Sequence, residues 1–573
     1  PLSATSINTH IPALQSRGVS VIYSRGSGGG VPPPTPPPGG GSATDVVIPD
    51  ANLYEVIANS LGKAFGAPIT QAEMATLTRL DASNANISDL TGLEFAINLT
   101  ELVLGGNEGR LGEVNINELF NNLSLYLTNL IEIWINFSFN FSVNSISDVT
   151  PLSNLTRLRV LDLSYNSISD LAPLSNLTNL EVLDLSGTSI SNVTPLSNLT
   201  RLRVLGLSGN SISNVTPLSD VTPLSNLTNL EVLDLSYNSI SNVTPLSNLT
   251  RLRTLDLSET SISNMSALSG LTSLEWLILS GTSISDVTPL SNLTRLRVLS
   301  LSDNSIANVT PLVTLLSNLN NLIMLDLSDN SISDVAPLSN LTNLRALTLY
   351  ENNISDVTPL SNLTRLEWLD LEDNSIANVM PISNLTSLEW LELDNNGISD
   401  VAPLSNLTNL RWLDLYDNSI SDMAPISDLT RLELLNLSDN NIANVTPLSN
   451  LINLKLLDLD DNSIANVTSI SNLINLKGLE LNDNSISDLA PLVANTGLGE
   501  GDWIEVRNNP LSATSINIHI PALESRGVEV DFSASKPAVK NKELRMPLRM
   551  IEPFGVQKWK VGDNLRKDRL NNF

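Results

Sequence analysis

The sequence predicts an α/β fold, a right-handed solenoid with a parallel β-sheet on its concave face and a helical cap at its N-terminal end. Three observations carry this. A 22-residue pattern recurs from Met74 onward, as in LTNLEVLDLSGTSISNVTPLSN at 177–198. Within each unit leucines two apart, such as Leu183 and Leu185, alternate as in a strand. The chain of 573 residues is 41% hydrophobic but only 4% aromatic, so its apolar content is aliphatic and regular.

The elements follow in chain order. Residues 1–23 match 510–532 at 18 of 23 positions. Since the second copy closes an array, the first reads as the closing segment of an array upstream. Residues 24–43, SRGSGGGVPPPTPPPGGGSA, read as a flexible, extended linker. Residues 44–73 read as the helical cap. Asp50 precedes an apolar face of Leu53, Val56, Ile57 and Leu61, Gly62 stops that helix, and Thr70 with Glu73 fits a capping box. A solenoid needs such a cap because its core is open at the ends.

Residues 74–509 form the array, read as 19 units of the frame L-x-x-L-x-x-L-x-L-x-x-N. This is the leucine-rich repeat signature. Each unit contributes one short strand, stacked about 4.8 Å from the next. The recurring amide, as at Asn166, Asn210 and Asn374, can satisfy the backbone of the turn. Thr188, Thr260 and Thr282 replace it in three units. Steps such as Thr194-Pro195-Leu196 predict a short turn or 3₁₀ segment on the convex side. Five units are long, at 96–126, 127–154, 199–226, 293–318 and 473–497. Their extra residues are expected on the convex side or a rim. Residues 510–532 close the array. The tail 533–573, with ten basic and four acidic residues, is expected to be disordered.

Composition narrows the function. The absence of cysteine excludes disulfides and thiolate chemistry, and the two histidines, His10 and His519, leave no histidine-rich metal site or Ser-His-Asp triad in the array. No run of apolar residues is long enough to span a membrane. The net charge of −29 repels nucleic acid and suits a basic protein, a cation or a neutral ligand.

Signature positions three, five and seven point away from the core. Position three holds Trp276, Trp368, Trp390, Trp412 and Trp503, five of the seven tryptophans; Trp134 and Trp559 lie elsewhere. Trp368, Trp390 and Trp412 occupy consecutive units and should form an exposed ladder, flanked at position seven by Tyr350 and Tyr416. Exposed tryptophan favours binding, although duplicated rings that only stack on each other remain an alternative. Position five is acidic in twelve units. Most of that row is read as solvated charge; beside the ladder, Asp370, Glu392 and Asp414 are read as ligand contacts. Calcium along the row stays open, without an EF-hand or nonapeptide motif. A row of similar carboxylates lacks the asymmetry of a catalytic pair.

These residues resemble the bacterial internalin-like leucine-rich repeat proteins. The likeness covers 44–532 and includes IPDANLYEVIANSLG, the ISDVTPLSNLTNL consensus and the closing segment. It implies a secreted or surface-exposed protein of a bacterium, without enzymatic activity or cofactor, that recognises a protein partner through the concave sheet. A carbohydrate-binding surface and a structural adhesin spacer are the other readings. The chain shows no LPxTG-type cell-wall anchor.

Overall fold

The computed structural model describes residues 44–105, 144–212, 222–307, 319 and 321–532. The expected upstream closing segment, the linker, the basic tail, Trp134 and Trp559 lie outside these residues. Two helices, Ala51–Ser60 and Gln71–Met74, precede the first strand. Asp50 caps the first through one carboxylate oxygen, accepting from the Asn52 and Leu53 amides at 3.0 Å. Its other oxygen accepts from the Ser88 amide at 2.8 Å, tying the helix to the first repeat. The Thr70–Glu73 capping box forms, and Leu53, Ile57 and Met74 join the core of the array.

The array itself is one open sheet of 19 three-residue strands among the described residues. Each strand pairs in parallel with the next, from Arg79–Asp81 to Glu529–Asp531. The repeat explains why. In residues 363–384 the side chains of Leu363, Leu366, Leu369, Leu371, Ile376, Val379 and Ile382 are all buried. Fully burying each contributes about 1.5–3 kcal/mol. No repeat can do this alone, because its neighbours form the walls of its core.

Asparagine does what its position implies. Asn374 donates from Nδ2 to the carbonyls of Leu349, Leu371 and Glu372 at 2.9–3.2 Å, and its Oδ1 accepts from the Ile354 amide at 2.9 Å. One side chain thus closes its own turn and pins the preceding repeat. Thr188 covers part of this task, donating to the Leu185 carbonyl at 2.8 Å and to Asn210 Oδ1 at 2.7 Å. On the convex side the Pro-containing steps form 3₁₀ helices, such as Thr194–Asn198.

One expected unit is corrected. Glu101–Val103 pairs directly with Val160–Asp162, so the unit expected at 127–154 places no strand between its neighbours. Instead Asn144 completes the repeat begun at Leu99, donating to the Ala82 and Leu104 carbonyls at 2.9 Å. Gly105 and Asn144, the described residues on either side of 106–143, lie just past the strand Glu101–Val103. Most other repeats have one residue of positive φ there, such as Tyr165 at 55°. The nineteenth strand comes from the closing segment 510–532.

Candidate functional site

Strand alternation sends leucine inward and positions three and five onto the concave face. The register places Trp368 beside Trp390 and Trp390 beside Trp412, with Asp370, Glu392 and Asp414 aligned two residues on. The indoles stack, with centroids 4.2 Å apart at 11° and 3.7 Å apart at 13°. Such pairs contribute about 0.5–1.5 kcal/mol each beyond burial. The ladder is therefore real but not exposed as expected. Trp412 is only 9% accessible, and Trp368 and Trp390 are half-buried. Parallel rings one strand apart cover each other's faces. The Trp390 Nε1–H donates to Glu392 Oε1 at 2.9 Å. The Trp412 indole N–H is buried without a hydrogen-bond partner among the described residues.

The stack belongs to a longer apolar stripe that reading tryptophans alone missed. Trp276 connects to Trp368 through Val298, Met324 and Ala346, all nearly inaccessible. Beyond Trp412 the stripe continues through Leu434 and Leu456. Trp503 then lies over Gly478, where an added Cβ would come within 2.4 Å of the indole. The signal was present as an apolar residue every repeat in the same column. Tyr350 and Tyr416 flank the stripe, both half-buried. Burial and the neighbouring Asp439 and Asp417 push the Tyr416 phenol up to about 12.

The acidic row is also not a free solvated face. Asp326 and Asp370 are inaccessible or nearly so. Along the row the carboxylates turn back on their own chain. Asp162 accepts from the Ser164 amide at 2.9 Å and hydroxyl at 2.7 Å, and Asp184 and Asp234 repeat the pattern. Asp414 accepts from the Tyr416 amide at 3.0 Å and from Asn436 Nδ2 at 3.1 Å. These are Asx turns at strands that end on Asp. Asp370, expected as a ligand contact, is nearly inaccessible and accepts from the Glu372 amide at 3.1 Å. Burial, reinforced by adjacent carboxylates, pushes Asp162 and Asp234 up to about 6 and Asp414 to about 7. Two groups bring three carboxylates within 4.8 Å of one another, Asp370 with Glu372 and Glu392, and Asp458 with Asp460 and Glu480.

The opposite edge of the sheet, at signature position two, was not singled out from the sequence. There Arg and Glu alternate over most of the repeats and pair across the strands, as in Arg159–Glu181 at 2.8 Å and Arg345–Glu367 at 2.6 Å.

Comparison with known proteins agrees with this geometry. The family described as leucine-rich repeat region matches residues 164–342, and leucine-rich repeats in two copies match 408–450. A crystal structure of an internalin, InlF of Listeria monocytogenes, is 31% identical, covers 68% of this chain and 96% of its own, and superposes with a TM-score of 0.51. The chain belongs to the internalin-like leucine-rich repeat family. A leucine-rich repeat protein of Leptospira interrogans is 25% identical over 67% of this chain and 99% of its own, with a TM-score of 0.61. The Arabidopsis receptor kinase HAESA, solved with the peptide hormone IDA and the co-receptor SERK1, shares the fold at 23% identity and a TM-score of 0.56, covering 76% of this chain and 71% of its own. No curated protein matches the chain by sequence. Among the described residues of this internalin-like chain, no helix is long and apolar enough to cross a membrane.

Proposed function

We propose that this internalin-like chain is a non-enzymatic recognition protein that holds a protein partner against its concave sheet, with Trp368, Trp390 and Trp412 at the centre of contact. The observation that carries this is the stack itself: three indoles on consecutive strands, on the side of the sheet away from the core. Tryptophan is the residue on which hot spots most often centre, and Trp368 and Trp390 keep part of their surface open. Tyr350, Tyr416, Asp370, Glu392 and Asp414 flank the stack, Trp276 lies four strands along the same stripe, and together they complete the contact surface; a basic group on the partner suits the carboxylates. The family resemblance supports a role outside a bacterial cell or on its surface.

The carbohydrate reading fits less well. A sugar ring packs on an open indole face, and both faces of Trp390 are already covered by its neighbours. The spacer reading requires no partner at all. The test is a pull-down from host or neighbouring-cell surface extracts with the full chain, repeated with Trp368, Trp390 and Trp412 changed to Leu. A protein retained by the parent, lost from the variant and rebound when purified supports the proposal. Equal retention by both forms, or a retained glycan, overturns it. Circular dichroism of the variant checks that the sheet survives.

A further inference from the structure

At the N-terminal edge of the sheet the Arg–Glu alternation breaks where Glu367 meets Glu389, where Lys455 meets Lys477, and at Ile323, where an arginine is left without its Glu. Arg of one repeat meets Glu of the next in Arg203–Glu231, Arg253–Glu275, Arg345–Glu367 and Arg411–Glu433, at 2.5–2.8 Å. For Arg297 the answering position holds Ile323. The Arg297 side chain makes no hydrogen bond or ion pair among the described residues. Glu275, one repeat earlier, is held by Arg253.

A second pattern fails in the same repeat. Two residues before this column, Arg donates to an Asn one repeat earlier, as in Arg201–Asn179 at 2.8 Å, Arg365–Asn343 at 2.9 Å and Arg431–Asn409 at 2.7 Å. For Arg295 that earlier residue is Ser273. Arg295 likewise has no partner among the described residues.

Both guanidiniums line one cavity of about 800 Å³, together with Ile323, Arg345, Arg365 and Glu367. Arg295 is exposed and Arg297 half-exposed, so both are reachable. Arg297, Ile323 and Arg345 each directly precede a residue of the apolar stripe, Val298, Met324 and Ala346. In a chain of net charge −29 this is a local basic exception.

We propose that this cavity receives a carboxylate from an acidic segment of a protein partner. The column itself supplies the template. Where a Glu is present the guanidinium grips it, and at Arg345 it does so in two bonds, Nε to Oε1 at 2.8 Å and Nη2 to Oε2 at 2.6 Å. A planar fork of donors matches a carboxylate in this way. A partner's Glu or Asp at the level of Ile323 restores the missing member of the ladder, while its apolar neighbours meet the stripe. The inference rests on the reading of a protein partner, but the two fail separately. The tryptophan variants are judged by retention of a whole protein, and the cavity by a free peptide.

The experiment is a fluorescence-anisotropy titration of the full chain with a labelled peptide of alternating Glu and Leu at about 0.15 M salt, where the Debye length is about 8 Å and the field of the acidic body is damped. The parent binds, and a peptide with Gln in place of Glu does not. Arg297→Ala weakens binding by about tenfold, equivalent to about 1.4 kcal/mol. Ile323→Glu weakens it as much while keeping both arginines, because it answers Arg297 from within, and its thermal midpoint is unchanged or higher. Absence of binding to the parent, equal binding of the Gln peptide, or parent-like binding by Ile323→Glu overturns the proposal. A sulfated oligosaccharide that binds more tightly than the peptide, and is lost from the same variants, overturns it in favour of a sulfated glycan.

Discussion

Along the N-terminal edge of the sheet the charges alternate, and along the C-terminal edge they repeat. The same 22-residue register produces both. On the first edge Arg159 and Glu181, or Arg345 and Glu367, neutralise each other across the strands. On the second edge Asp162 stands beside Asp184, and Asp234 beside Asp256. Like charges on adjacent strands are destabilising. The chain offsets this locally, by giving aspartates such as Asp162 and Asp234 the amide two residues on, while Glu505 pairs with Arg507. The lesson is that a repeat multiplies both good and bad neighbours, so each column must solve its electrostatics once and in a way that stacks.

The largest break in the comparison comes from the asparagine spine beside the acidic edge. Asn396 donates to the Leu371, Leu393 and Asp394 carbonyls and accepts from the Ile376 amide at 2.8–3.2 Å. Asn396→Ala leaves these groups unsatisfied and is expected to cost about 3 kcal/mol in urea unfolding. Loss of less than about 1 kcal/mol would show that water replaces the amide freely.

The two edges should also titrate in opposite directions. Asp162, Asp234 and Asp414 have folded values raised to about 6 or 7 from an ordinary 3.8. Their stabilising contribution is complete below the unfolded value and is lost as pH rises through 6 to 7. Glu181 and Glu433 are lowered from 4.5; for Glu181 the Arg159 hydrogen bond is the main cause, and for Glu433 the Lys455 and Arg411 bonds outweigh the opposing effect of burial. Their contribution is present above 4.5 and is lost as pH falls through their folded values. The thermal midpoint should therefore rise from pH 8 to about pH 5 and fall below about pH 4. A midpoint that falls steadily from pH 8 to 5 would contradict the picture of the buried aspartates.

A smaller effect isolates one member of the acidic edge. Asp329, raised to about 7 by burial and by Glu351, sits at a positive φ of 50° that Asn also tolerates. Asp329→Asn is expected to stabilise by about 0.5 kcal/mol, modest because the site is partly solvated. Equal or lower stability at pH 8 would show that its charge is not a burden. The smallest effect belongs to the paired edge. Arg159 is 60% exposed in its bond to Glu181, so Arg159→Ala should change stability by under about 1 kcal/mol, and less still in high salt.

The period, the strand positions, the asparagine ladder and the convex 3₁₀ turns were all legible, because each depends on residues within one 22-residue unit or at its fixed repeat. The tryptophan column was legible for the same reason. Three things were not. The segment LTNLIEIWINF at 127–137 fits the frame by itself, but Asn144 had already claimed the place that completes the previous repeat. The accessibility of the indoles depended on ring planes that the sequence does not encode. The open position at Arg297 shows only when columns are compared across repeats, where Ile323 interrupts the Arg–Glu alternation.

What the sequence determined by itself is the solenoid, since leucines at fixed spacing can be buried only by stacking identical turns. The tertiary structure alone decided which outward-facing side chains still meet solvent. Adjacent strands lie about 4.8 Å apart, so large or charged neighbours in one column must stack, turn inward or pair, and which of these happens depends on the repeats on either side.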